Sequence, residues 1–342
     1  MADYLTSILI VVLVIMGIFL AFSIGANDET LSSFVGSGTV KLKIALLIGG
    51  AAAGAGIIFF SQGVGKTVGA DILGPGIKYT TFMLLAVLIS SIIWLIIGSF
   101  SGIPLSSTHS TIGSIFGVLI TYALLEGGVE PSTALNYTKL MNLVISWFLS
   151  PLFGLLVTYI IFKIIAKLYL SRQKGITQIE RAEKNFTWML LFAVIFAEIW
   201  VGANSAECIG IFYGLYNNGS LNYEQYYFFV VICGINIFLG IFFVGRYVIK
   251  NLASQMTEAR PSDGFIIQVS TAFILMIATL FALPISHSHV IVFSILGLNL
   301  AQKKEVDKKA FLKMGFFWFL TFPAAALMGG FIYYGFLYFG FY

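Results

Sequence analysis

From Leu5 to Ile24 the chain carries no charged side chain, and stretches of similar length and character recur all the way to its C-terminal end. Nothing else in the sequence constrains the fold as strongly. About 20 apolar residues in a row, coiled as a helix, match the hydrocarbon thickness of a bilayer, whereas the strands of a membrane barrel alternate in character over roughly ten. A β-barrel is excluded on that ground. The 342 residues are 59% hydrophobic and 10% charged, with a mean hydropathy of +0.96, far from the composition of a soluble domain. The expected fold class is all-α, a polytopic membrane protein. Its net charge of +4 is spread over short loops, with no basic tract of the kind nucleic acid requires. Cys208 and Cys233 both sit in apolar surroundings and suggest neither a disulfide framework nor a metal cluster. No Lys or Arg precedes Lys41, so the first run lacks the basic lead of a cleaved signal peptide and is expected to remain as a helix.

The runs expected to cross the membrane in the first half are Leu5 to Ile24, Ile44 to Phe60, Tyr79 to Gly98, Ser110 to Leu124 and Leu140 to Ala166. In the second half they are Thr187 to Ala203, Tyr226 to Gly245, Phe265 to Leu283, Val290 to Ala301 and Phe311 to Phe341. Gly25 to Val40 is too polar for a span and too apolar for a loop, which predicts a broken or re-entrant segment. The connector holding Lys163, Lys167, Arg172, Lys174, Arg181 and Lys184 should be cytoplasmic. Counting spans from it places Lys41 and Lys43, then Arg246, Lys250 and Arg260, then Lys303 to Lys313, on that same side, with both termini and the acidic Glu126–Glu130 loop outside. Five crossings per half is an odd number, so the halves, residues 1–170 and 187–342 joined by 171–186, should traverse the bilayer in opposite senses. That makes an inverted repeat, an arrangement common in secondary transporters.

Short motifs repeat on the same scale. Gly25-Ala26-Asn27-Asp28 returns as Gly202-Ala203-Asn204-Ser205, and Pro104-Leu105-Ser106-Ser107-Thr108-His109 as Pro284-Ile285-Ser286-His287-Ser288-His289. The spacing within each half is nearly conserved, 104 − 25 = 79 against 284 − 202 = 82. A third echo, Trp147 to Pro151 against Trp318 to Pro323, closes each half. In an inverted repeat all four polar motifs would approach the midplane and could enclose one site.

Pro104 and Pro284 suit the first turn of a helix, where a missing N–H is no loss. A helix starting inside the membrane offers unpaired N–H groups and the positive end of its dipole to an anion, and the adjacent Ser and Thr add hydroxyl donors. Two such starts make an anion pocket without Lys or Arg; the blander reading is a pair of kinks with hydroxyls bonded back to carbonyls. Candidate anion contacts are Asn27, Ser106, Ser107, Thr108, Asn204, Ser286 and Ser288. All three histidines, His109, His287 and His289, fall in the same segments, as anion donors, proton-linked groups or gates. With no carboxylate or Cys in those segments, the histidines are not read as a metal site. Asp28 is costly in a membrane unless it meets a cavity or a cation. Its carboxylate suits sodium, with a proton as the competing ion and simple helix capping as the alternative. Ser205 and Glu207 are weaker candidates for the coupling-cation site in the second half, where Glu198 is the other acid. Gly65-Lys66-Thr67 is no phosphate loop, because Phe60 stands where the leading Gly would be.

These motifs resemble those of the inorganic phosphate transporter (PiT) family of secondary carriers, whose members carry Gly-Ala-Asn-Asp and Pro-Val-Ser-Thr-Thr-His in each repeat. The resemblance spans both halves. It implies a cation-coupled importer of inorganic phosphate, driven by sodium or protons, with the anion bound between the repeats and a homodimer as the family's assembly. The chain departs from the pattern at Ser205, which replaces an Asp, and at His287, which replaces a Thr. Glu29-Thr30-Leu31-Ser32 and Ala206-Glu207-Cys208-Ile209 likewise stand where Val-Ala-Asn-Ala is usual. Some relatives of the family carry sulfate. Hydrogen phosphate owns a proton to donate and sulfate owns none, so a carboxylate acceptor such as Asp28 favours phosphate unless sodium occupies it fully.

The expected protein is therefore a phosphate importer of the plasma membrane, working by alternating access with no resident cofactor and no enzymatic activity. A sulfate permease of the same fold and a passive anion channel are the alternatives. A membrane enzyme acting on a phosphorylated lipid is disfavoured by the twofold duplication of the site.

Overall fold

The apolar runs do become helices, and their ends fall where polar or small residues interrupt them. A computed structural model describes residues 2–101, 105–125, 129–255, 260–306 and 308–341. The first half comprises α1 (Ala2–Ala26), α2 (Ser32–Gly36), α3 (Leu42–Phe60), α4 (Gln62–Lys66, continued as a π-helical turn Thr67–Asp71), α5 (Thr81–Ser101), α6 (Ser107–Leu125), α7 (Pro131–Ala134) and α8 (Tyr137–Leu168). The second half comprises α9 (Ile176–Asn204), α10 (Glu207–Asn217), α11 (Tyr223–Gly240, continued as a π-helical turn Ile241–Gly245), α12 (Arg246–Gln255), α13 (Pro261–Leu280), α14 (His287–Gln302) and α15 (Lys308–Tyr338). Among the described residues the only β-type pairing is an isolated bridge between Leu73 and Leu135. Nine helical segments among the described residues are long and apolar enough to cross a membrane, so this is a multi-pass membrane protein.

The structure differs from the sequence reading in four places. The ninth expected crossing, Val290 to Ala301, is α14, which starts at buried His287, is only 16 residues long and lies outside those nine. Residues 62–71, which fall between the second and third expected spans, are helical and pack against α10, an element that was not anticipated at all. The connector 171–186 is exposed as expected over most of its length, but from Ile176 it is helical and runs without a break into the α9 span. Finally, Pro284 is not in a first turn. Ser286 is the N-cap of α14, its hydroxyl oxygen accepting the His289 N–H at 3.4 Å, so the helix begins after it and Pro284 lies in the preceding extended loop. Pro104 and Glu126 lie outside the described residues. The anticipated break after α1 is present, with non-helical backbone at residues 27–31 before the short α2.

Packing follows the order of the repeated motifs. Matching α1, α3, α5, α6 and α8 with α9, α11, α13, α14 and α15 exchanges one set of helix contacts for another. Thus α6 packs on α15 and α14 on α8; α1 on α5 and α9 on α13; α3 on α9 and α11 on α1. The close approaches repeat the pattern. A Cβ on Gly25 would land on the Ile237 carbonyl oxygen and one on Gly240 on that of Phe22, while Gly202 meets Ala53 and Gly56 meets Ile199 in the same way. Helices without side chains at the crossing approach backbone to backbone, the usual means of association in a bilayer. Where α3 crosses α11 the match closes on itself: a Cβ on Gly54 would lie 2.7 Å from the Gly234 carbonyl oxygen, and one on Gly234 2.8 Å from that of Gly54.

Candidate functional site

The ends of α1 and α9 and the starts of α6 and α14 meet in the interior. The Asn27 amide donates to the Leu105 carbonyl at 2.8 Å. In the second half Asn204 donates to the Leu283 carbonyl and the Thr279 hydroxyl, both at 3.0 Å, and its Oδ1 accepts the Ile285 N–H at 2.9 Å. Each asparagine therefore clamps the Pro-x-Ser loop of its own half. Asn204 has spent its donors and acceptor on that loop and on Thr279 of α13, whereas Asn27 Oδ1 is buried with no partner among the described residues. Asn204→Ala strips three bonds from buried groups at once, at about 1 kcal/mol or more each. It should lower stability by roughly 3 kcal/mol, read as a fall in the thermal transition in detergent.

Clamped in this way, the loops present their hydroxyls inward. Ser106 and Ser286 cap α6 and α14. Ser107, Thr108 and Ser288 follow in the first turns, all buried, in segments without Lys or Arg. The Thr108 hydroxyl approaches the Ile285 carbonyl at 3.2 Å, tying one loop to the other. The elements that follow the asparagines reach across to the opposite half. Glu207, the first residue of α10, accepts on Oε1 from Thr108 (2.5 Å) and Ser107 (3.3 Å). Glu29, beyond the α1 break, lies opposite Ser288 and His287, while within the second half Ser205 Oγ is 3.2 Å from His287 Nδ1. The four motifs thus interlock crosswise.

Charge is concentrated on one side of this junction. Asp28 Oδ1 accepts the Thr30 N–H at 2.8 Å, which turns the chain back and fixes the carboxylate. Asp28, Glu29 and His287 each present a potential ligand atom, and the three atoms lie within 4.8 Å of one another. Neither oxygen of Glu29 has a hydrogen-bond partner among the described residues, and the same holds for Glu198, which lies within electrostatic reach of Asp28 and Glu29. Buried anionic groups without partners are expensive in a membrane, and a cation held among them removes the cost. Two hard carboxylate oxygens suit sodium. Gln268 of α13 braces the turn, donating to the Thr30 carbonyl at 2.7 Å and the Ser33 hydroxyl at 2.8 Å.

The histidines divide. His287 joins the two carboxylates, which corrects the reading that the histidines stand apart from any ligand cluster; its partners come from the other half, where segment-by-segment reading cannot look. His109 and His289 turn away from the junction. Their rings are 4.7 Å apart, each packed on a tryptophan, Trp147 at 4.3 Å and Trp318 at 4.1 Å. They border an aromatic cavity of about 600 Å³ beside the proline-bearing segments of α8 and α15. Trp147 also donates to the Pro284 carbonyl at 3.1 Å, linking that cavity wall to the second loop. Glu207, a second-half candidate for the coupling cation, lies at Ser107 and Thr108 of the first Pro-x-Ser loop and is not among the three residues of the Asp28 cluster. Glu198 and Gln268 are the residues that motif matching undervalued; a lone acid inside an apolar run was the available signal for the first, and the second gave none.

Comparison with known proteins bears on the family and the fold. The chain is 25% identical over 95% of its length to a Pyrococcus furiosus protein provisionally named a phosphate permease, covering 95% of that protein. It is 26% identical over 96% of its length to a Bacillus subtilis protein named as a probable low-affinity inorganic phosphate transporter, covering 97% of it. Its fold matches a solved structure of "the sodium-dependent phosphate transporter" with a TM-score of 0.86 at 21% identity, over 96% of this chain and 99% of that one. These relatives are named as permeases and transporters, not enzymes. Residues 24–329, from the end of α1 through most of α15, match the model of the phosphate transporter family, and the chain belongs to that family.

Proposed function

We propose that this chain is a sodium-coupled secondary transporter that imports inorganic phosphate by alternating access. One observation carries the reading. Two capped helix starts from opposite halves, rich in Ser and Thr and free of Lys and Arg, meet beside a buried Asp28–Glu29–His287 cluster. Ser106, Ser286 and Ser288 supply hydroxyl donors, and the helix starts supply N–H groups and dipole, to the anion; Asn27 and Asn204 hold those loops in place, and Ser107 and Thr108 direct their hydroxyl protons to Glu207. The cluster takes the cation, with Ser205 positioning His287. Cation and anion then lie close enough for each to offset the other's charge, so that occupancy by one raises the affinity for the other. Phosphate is the substrate named for the relatives, and sodium the ion named for the solved neighbour.

The exchange of helix contacts between halves supports the inverted repeat of residues 1–170 and 187–342 about the 171–186 connector. In that topology the connector is cytoplasmic, both termini are outside, and the protein sits in the plasma membrane, where a homodimer is the proposed assembly. The test is uptake of labelled phosphate into proteoliposomes under an inward sodium gradient, an inward proton gradient, or neither. Accumulation above equilibrium with sodium alone is the expected result. Accumulation driven only by protons replaces the ion, and equal flux under all three conditions, without accumulation, means a passive channel and overturns the proposal.

A further inference from the structure

Glu207 is not required for clamping or for the cation cluster, yet it is buried at the anion loop, 99 and 100 residues from its two partners. Both Ser107 and Thr108 donate to Oε1, the pattern of an acceptor-only carboxylate. The other oxygen, Oε2, is buried without any partner among the described residues. Glu207 opens α10, an eleven-residue helix whose first N–H groups and dipole favour a negative charge there. His287, of the same half, is its charged or titratable neighbour. A carboxylate inside an anion site repels an anion that has nothing to donate, and the unpaired oxygen calls for a donor.

We infer that Glu207 Oε2 accepts the P–OH proton of hydrogen phosphate and so selects protonated oxyanions against sulfate. The inference rests on the reading of these loops as a phosphate site and names the residue that fixes its specificity. Phosphate and arsenate carry a hydroxyl proton at neutral pH; sulfate and selenate do not. A site built to take a hydrogen bond rejects the isostere that lacks it, because the buried partner is then stranded.

The experiment is competition against labelled phosphate uptake in proteoliposomes holding the full chain, with arsenate, sulfate or selenate, for the wild type and Glu207→Gln. For the wild type, arsenate should compete on a par with phosphate, while a hundredfold excess of sulfate or selenate leaves uptake unchanged. In Glu207→Gln, Oε1 still accepts from Ser107 and Thr108, but an amide donor replaces the acceptor. Phosphate and arsenate should weaken in parallel by roughly 10- to 100-fold, the range for losing a hydrogen bond to a charged group, and sulfate should become an effective competitor. A purely structural role would lower uptake of every anion without changing the ratio. An unchanged phosphate-to-sulfate ratio in a monodisperse Glu207→Gln protein overturns the inference, as does effective sulfate or selenate competition in the wild type, which needs no variant to fold. Absence of phosphate uptake by the wild type under every gradient defeats the parent reading, a result distinct from either of these.

Discussion

Asp28→Asn should abolish the response of phosphate uptake to sodium while leaving the protein folded. The substitution keeps the oxygen that accepts the Thr30 N–H and therefore keeps the turn that aims residues 28 and 29. It removes one of the two negative charges of the cluster with Glu29 and His287. A unit charge about 4 Å from a cation, at an effective dielectric near 20, is worth about 4 kcal/mol, and part of this is offset by the easier burial of an amide. The sodium concentration giving half-maximal uptake should rise on the order of 100-fold, beyond what proteoliposomes tolerate. Normal sodium-dependent uptake by this variant would remove Asp28 from the cation site. Glu29→Gln provides the companion measurement, with a similar loss expected.

The second large effect is on folding. A Cβ on Gly202 would occupy the space of the Ala53 carbonyl oxygen, which belongs to the backbone of α3 and cannot rotate aside. Gly202→Val should therefore force α9 from α3 and cost more than about 4 kcal/mol, in the range reserved for gross overpacking. Recovery of folded protein from the membrane, followed by size-exclusion chromatography and thermal unfolding in detergent, should show loss of the monodisperse species. Gly315→Ala in α15 is the control. A Cβ there meets nothing within 4 Å, and the change should leave the transition within about 0.5 kcal/mol of wild type. If both variants behaved alike, backbone contact at Gly202 would not be what holds the two helices.

Much of this could be read along the chain because membrane helices advertise themselves by length. The pairing of Gly-Ala-Asn with Pro-x-Ser within each half was also visible, in the spacings of 79 and 82 between Gly25 and Pro104 and between Gly202 and Pro284. The asparagine clamps span 78 and 79 positions accordingly. What escaped were contacts between halves. Glu207 finds Thr108, and His287 finds Asp28 and Glu29, through the folding of one repeat against the other, and periodicity reports a helix face without naming what covers it. Short buried helices escaped for a related reason. Eleven residues of α10 and the turns at 62–71 are too brief for a span signal, and their polar residues read as loop. Thr67 nevertheless donates to the Ala282 carbonyl at 2.7 Å, holding a left-handed residue just before the Pro284 loop.

The crosswise junction also bears on why the two halves share one polypeptide. Two identical subunits meeting about a twofold axis must present the same residues at both crossings, so any acid introduced for a cation appears again beside the anion. Covalent linkage releases that constraint. At one crossing the chain has gathered Asp28 and Glu29 around His287; at the other it has Ser205 in place of the acid and directs Glu207 to a pair of hydroxyls. On the proposed function, the repeat supplies two equivalent crossings, and the differences between its copies assign them to opposite charges.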